Sequence, residues 1–78
     1  LNPRLIYASI SGFGATGPDA DRPAFDTVAQ AASGFLRLLV NPVHPRVVGP
    51  AIGDMMTGFY TAQGVLAALF QRQSTGQG

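Results

Sequence analysis

Asp54 is the residue in this chain best placed to do chemistry. All four acidic residues are aspartates; Asp19, Asp21 and Asp26 lie among or beside turn residues upstream, whereas Asp54 stands alone in the second half, at the mouth of a long apolar run. A carboxylate there has two readings. One is a helix N-cap that accepts the unpaired N–H groups of the first turn, worth about 0.5–2 kcal/mol. The other is a nucleophile or base, kept ionised by the positive end of the helix and walled from water by apolar neighbours. The other chemistry-bearing groups are fewer. Gly12-Phe13-Gly14-Ala15-Thr16-Gly17 spells G-x-G-x-x-G after an apolar run, where a dinucleotide fingerprint would lie. That motif must open a helix, and Pro18, Asp19, Asp21 and Pro23 forbid one. Arg22 is the cation beside this loop; it can hold a phosphate or pair with the neighbouring aspartates for about 0–1 kcal/mol. His44, flanked by prolines and lacking a partner in sequence, is a solvated loop histidine, and no metal site is expected.

The elements that must carry these residues follow from pattern. Leu5–Ser11, rich in β-branched and aromatic residues, reads as a buried strand that delivers the chain to the Gly12–Pro18 loop. A helix follows from Ala24 or Phe25, with Phe25, Val28, Ala29, Ala32, Phe35, Leu36 and Leu39 at three-and-four spacing; Asp26 fits its first turn and Gly34 marks a bend or its end. Asn41–Arg46, with two prolines, is a loop, and Val47–Ile52 is extended. Asp54–Arg72 has no proline and reads as a helix about 28 Å long, buried on most sides. Gly58 and Gly64 in its interior suggest close approach by another backbone or a ligand.

Bulk composition limits the functions. There is no cysteine, so disulfides, thiolate catalysis and Cys-ligated zinc are excluded together, and a reducing compartment fits. The net charge is +1 and the five arginines are dispersed, which argues against nucleic-acid or anionic-lipid binding. The 54–72 run lacks an unbroken apolar span of about 20 residues, so no membrane span is expected. Hydrophobic residues make up 46% and charged residues 12% of the 78, too apolar a balance for a free-standing domain this short. Residues 1–78 therefore read as one partial segment of a larger domain, with no internal boundary, that would be unfolded or aggregated by itself.

The residues Asn2-Pro3-Arg4-Leu5-Ile6-Tyr7, Ser11-Gly12-Phe13-Gly14, Gly17-Pro18, Arg22-Pro23, Phe25-Asp26, Ala29-Gln30-Ala31 and Ser33-Gly34 stand in an order that resembles the middle of the family III CoA-transferases. Gly53-Asp54, Thr57-Gly58, Ala67-Ala68-Leu69, Arg72 and Thr75-Gly76-Gln77-Gly78 extend the resemblance over the whole chain. It implies an α/β fold in which this piece supplies one strand, a glycine loop and two helices of a Rossmann-like large domain, in an interlocked homodimer. It implies an acyl-CoA:carboxylate CoA-transferase that is cytoplasmic, or mitochondrial in a eukaryote. Coenzyme A enters as a thioester substrate with a carboxylic acid as acceptor, and no cofactor is permanently bound. In the family the aspartate matching Asp54 is the nucleophile, and Arg22, Phe25, Gly12 and Gly14 fall where CoA or substrate is contacted. The related α-methylacyl-CoA racemases carry a histidine at the position of Phe25, so Phe25 counts against racemase chemistry. An inactive segment whose Asp54 only caps a helix is the remaining alternative.

Overall fold

The computed structural model describes residues 2–47 and 49–78. The chain enters through a turn at Pro3-Arg4, where the Leu5 N–H donates to the Asn2 carbonyl (3.1 Å), and then runs extended to Ser11. No strand forms among the described residues. This corrects the strand expected over Leu5–Ser11. The residue types favour extension, but a strand is a property of a pair, and no second extended segment lies alongside to complete a ladder. Leu5, Tyr7 and Ile10 are consequently exposed.

Helix formation follows the composition more closely. α1 (Asp26–Ala32) begins as soon as the chain clears Pro23, with Asp26 in its first turn facing the positive end of the helix. It stops at Ser33 because Gly34 takes a left-handed φ of 78°. α2 (Leu36–Leu39) is a single turn beyond that break, ended by the approach to Pro42. The one helix expected from Phe25 to Leu39 is thus two, divided at Gly34. α3 (Ile52–Thr75) has 24 residues and so is about 36 Å long, starting two residues before and ending three after the expected bounds. Gly76, at φ 73°, closes it in the left-handed conformation while its N–H donates to the Arg72 carbonyl (2.9 Å). Ile52 therefore belongs to the helix; of the extended segment expected over Val47–Ile52, Val48 lies outside the described residues.

α1 packs across the amino-terminal end of α3. At the other end, Arg72 donates from Nη1 to the Arg4 carbonyl (2.8 Å) and the Gly78 N–H donates to the Pro3 carbonyl (2.9 Å). Because Ile10–Gly12 share a cleft with Thr57 and Gly58, the extended segment runs back along α3 from its carboxyl end toward its amino end. The lengths agree, since seven extended residues and fourteen helical ones each span roughly 21–23 Å.

What this arrangement lacks is a core. No hydrophobic residue is buried among the described residues, and the single buried side chain is Gln30, 6% exposed. The radius of gyration is 16.8 Å, against about 11.5 Å for a compact domain of this length. The accessible surface is 6555 Å², about 2,000 Å² above that of a folded monomer of this mass. Residues 1–78 do not themselves supply the cover that the composition of α3 calls for: no residue in it is buried among the described residues, and Phe59, Tyr60, Leu66 and Phe70 are exposed. Among the described residues, no atom beyond the neighbouring residues and the helix's own backbone lies within 4 Å of where a Cβ on Gly58 or Gly64 would stand, so the close approach expected there is not made by this segment. No helix of the described residues is long and apolar enough to cross a membrane.

Candidate active site

Asp54 sits in the first turn of α3 as its third residue, not at the cap. The N-cap is Ala51, which has no side-chain oxygen to offer the open N–H groups behind it. Those groups are satisfied from a distance. Asp26 reaches across from α1, and its Oδ1 accepts from the N–H of Gly53 (2.6 Å) and the N–H of Asp54 (3.3 Å). Its Oδ2 accepts from Nε2 of Gln30, one turn along α1 (2.5 Å). Gly53 fits this contact because a methyl at that position would stand 2.9 Å from the Asp26 oxygen. The cap expected of Asp54 is thus performed by Asp26, and among the described residues no hydrogen bond engages the Asp54 carboxylate.

Asp54 borders a cleft of 420 Å³ lined by Ile10, Ser11, Gly12, Ala24 and Ala29 together with Gly53, Thr57 and Gly58 of α3. Gly12 is pressed against Ala24, where any side chain on it would collide with the Ala24 Cβ. Thr57 turns its hydroxyl back to donate to the Gly53 carbonyl (2.8 Å). Asp54 itself is exposed, not walled from water as expected, because the segments packed against it cover only one side of the first turn.

The other expected site residues are placed differently. Gly14 takes a φ of 89° and donates its N–H to the Ser11 hydroxyl (3.1 Å), shaping the loop without lining the cleft. Arg22 is outside the cleft lining, in an ion pair with Asp19 (2.9 Å) and over the Phe13 ring at 5.4 Å. Phe25 is 75% exposed at the N-cap of α1, outside the cleft lining. His44 is exposed in its loop, and no three metal-ligating side chains cluster among the described residues. Sequence reasoning joined Asp54 to the glycine loop but missed Asp26 and Gln30 as its support. Their i, i+4 spacing pairs them with each other but does not point to α3 as what they support.

The arrangement puts a residue whose carboxylate has no hydrogen-bond partner among the described residues at the rim of a cleft bordered across from it by Ile10, Ser11, Gly12 and Ala24. Such a group can attack a carbonyl carbon presented in the cleft. Comparison with known proteins identifies the family. The family model described as CoA-transferase family III matches residues 1–78. The chain is 48% identical to acetyl-CoA:oxalate CoA-transferase of Acetobacter aceti over 80 residues, covering 100% of this chain and 21% of that protein. It is 43% identical to succinate–glutarate CoA-transferase of Agrobacterium fabrum (100% of this chain, 20% of the relative) and 40% identical to succinyl-CoA:glutarate CoA-transferase of Homo sapiens (100% and 18%). It thus spans about a fifth of the length of the curated relatives it matches. No solved structure matches it.

Proposed function

The chain belongs to CoA-transferase family III, and from that premise we propose that the protein containing it is an acyl-CoA:carboxylate CoA-transferase with Asp54 as the covalent nucleophile. The observation that carries this is the state of Asp54: its cap duty is taken by Asp26, the residue lines a cleft, and its carboxylate has no hydrogen-bond partner among the described residues. An aspartate kept only for helix stability would be using its oxygens on the helix.

The reaction proceeds as exchange at carbonyl carbon. The Asp54 carboxylate attacks the thioester of the donor acyl-CoA; the C–S bond breaks, CoA thiolate leaves and a mixed anhydride remains on Asp54. The thiolate then attacks the aspartyl carbonyl of that anhydride, expelling the donor acid as carboxylate and leaving an aspartyl-CoA thioester. An acceptor carboxylate attacks this thioester and releases the thiolate again. Attack of the thiolate on the acceptor side of the second anhydride yields acceptor-CoA and regenerates Asp54. Each tetrahedral intermediate requires N–H donors for its oxyanion, which on this reading are supplied by the rest of the protein.

Relatives named for oxalate and glutarate support a short dicarboxylate as acceptor. Arg22 gives a positive charge beside the glycine loop for a CoA phosphate, exchanging its Asp19 partner for it, and the exposed Phe25 ring packs on the acyl or pantetheine chain; Gly12 and Gly14 let the loop approach them. The surface left open on α3 is covered by the remainder of an α/β, Rossmann-like domain in an interlocked homodimer, which works in the cytoplasm or a mitochondrion.

The test is mass spectrometry of the full-length protein incubated with acyl-CoA and hydroxylamine, which converts an activated aspartyl group to a hydroxamate. A hydroxamate at Asp54 is the expected result; its absence with every acyl-CoA of a short-chain panel overturns the reading. Asp54→Asn should lower turnover by ~10³-fold or more. It should leave stability within about 0.5 kcal/mol, since no hydrogen bond of the folded segment is lost.

A further inference from the structure

We propose that Asp26 is a positioning residue for Asp54, holding the first turn of α3 so that the nucleophile's oxygens stay out of the helix's own hydrogen bonding. This inference rests on the nucleophile reading above. Three features converge on it. Ala51 cannot cap α3, so the N–H groups of Gly53 and Asp54 need an acceptor from elsewhere, and Asp26 Oδ1 serves both. Gln30, the one buried side chain among the described residues, holds the opposite oxygen and turns Oδ1 toward α3. Gly53 supplies the space this needs.

A carboxylate at the third position of a helix is well placed to bend back to unpaired N–H groups at its start. Without Asp26, the donors at the start of α3 are open, and Asp54 is the carboxylate on the same turn. Hydrogen bonds to its oxygens would draw off the electron density that attacks the thioester and turn them from the cleft. Asp26 therefore acts through Asp54 and touches no reacting atom.

The experiment compares Asp26→Leu and Asp26→Asn in the full-length protein, reading kcat, KM for acyl-CoA and the rate of hydroxylamine trapping at Asp54. Asparagine keeps Oδ1 as acceptor, and a flip of the Gln30 amide accommodates its NH₂, so it should retain most of the turnover. Leucine keeps the volume without the acceptor; kcat and the trapping rate should fall together by about 30–100-fold, with KM within about threefold. Unchanged kcat in Asp26→Leu overturns the proposal. So does a loss in Asp26→Asn as large as in Asp26→Leu, or a rise in KM with kcat intact. If Asp26→Leu does not fold, Gly53→Ala displaces the same oxygen and carries the same expectation in smaller measure. Failure of the nucleophile reading is separate: the wild-type protein would then give no hydroxamate at Asp54.

Discussion

Gly53→Ala separates stability from catalysis at this site. The added methyl would stand 2.9 Å from Asp26 Oδ1, so the carboxylate must retreat by about 0.5 Å to reach ordinary contact. The Gly53 bond of 2.6 Å then lengthens to about 3.1 Å and survives weakened, whereas the Asp54 bond of 3.3 Å passes beyond about 3.5 Å and is lost. That costs about 1 kcal/mol. Alanine in place of glycine in a helix returns up to about 1 kcal/mol, so the unfolding midpoint should move by no more than about 2 °C. The first turn has nevertheless been released from its anchor. A displacement of a few tenths of an ångström at a nucleophile should lower kcat by about 3–10-fold. The assay is steady-state CoA transfer beside thermal unfolding of the same full-length preparation. A raised midpoint with wild-type kcat would mean that helix propensity alone responded and that the Asp26 contact does not govern the turn.

Two further substitutions probe the elements around the cleft. Gly12→Ala drives a methyl into the Ala24 Cβ and should lower stability by about 1–3 kcal/mol together with activity; in chemical denaturation, adding Ala24→Gly should recover most of the loss, and a double variant no better than the single one would refute the contact. Gly76→Ala places a side chain at φ 73° and should cost about 1–2 kcal/mol, while kcat is unchanged because the cap lies roughly 33 Å along α3 from Asp54.

The sequence made α3 legible as a proline-free apolar run and put an aspartate near its start. It placed the helix start at Asp54, because aspartate is a favoured cap; the actual cap residue is Ala51 and its acceptor comes from 27 residues upstream. No local pattern announces such a partner. Gly34 was readable as a break because glycine alone enters the left-handed region without strain. Leu5–Ser11 has strand composition, but pairing depends on a neighbour that composition does not report. The cover of α3 was not legible for a related reason: apolar residues show that a face is to be covered, not what covers it. Assignment of Asp54 as nucleophile came from the order of residues shared with a family, and the geometry added the reason its oxygens are available.

The cap from Asp26 also bears on the order in which the site comes together during folding. Closing a loop of 27 residues costs roughly 3 kcal/mol in chain entropy. A charge-assisted hydrogen bond contributes about 1.5–3 kcal/mol net. The two are comparable, so the Asp26 contact cannot nucleate the pairing of α1 with α3. Beside it runs an apolar groove lined by Ala29, Phe35, Leu38, Ile52 and Met56, the surface with enough hydrophobic area to drive docking once it is covered. On the proposed mechanism Asp54 is therefore set late, after α1 has docked on α3.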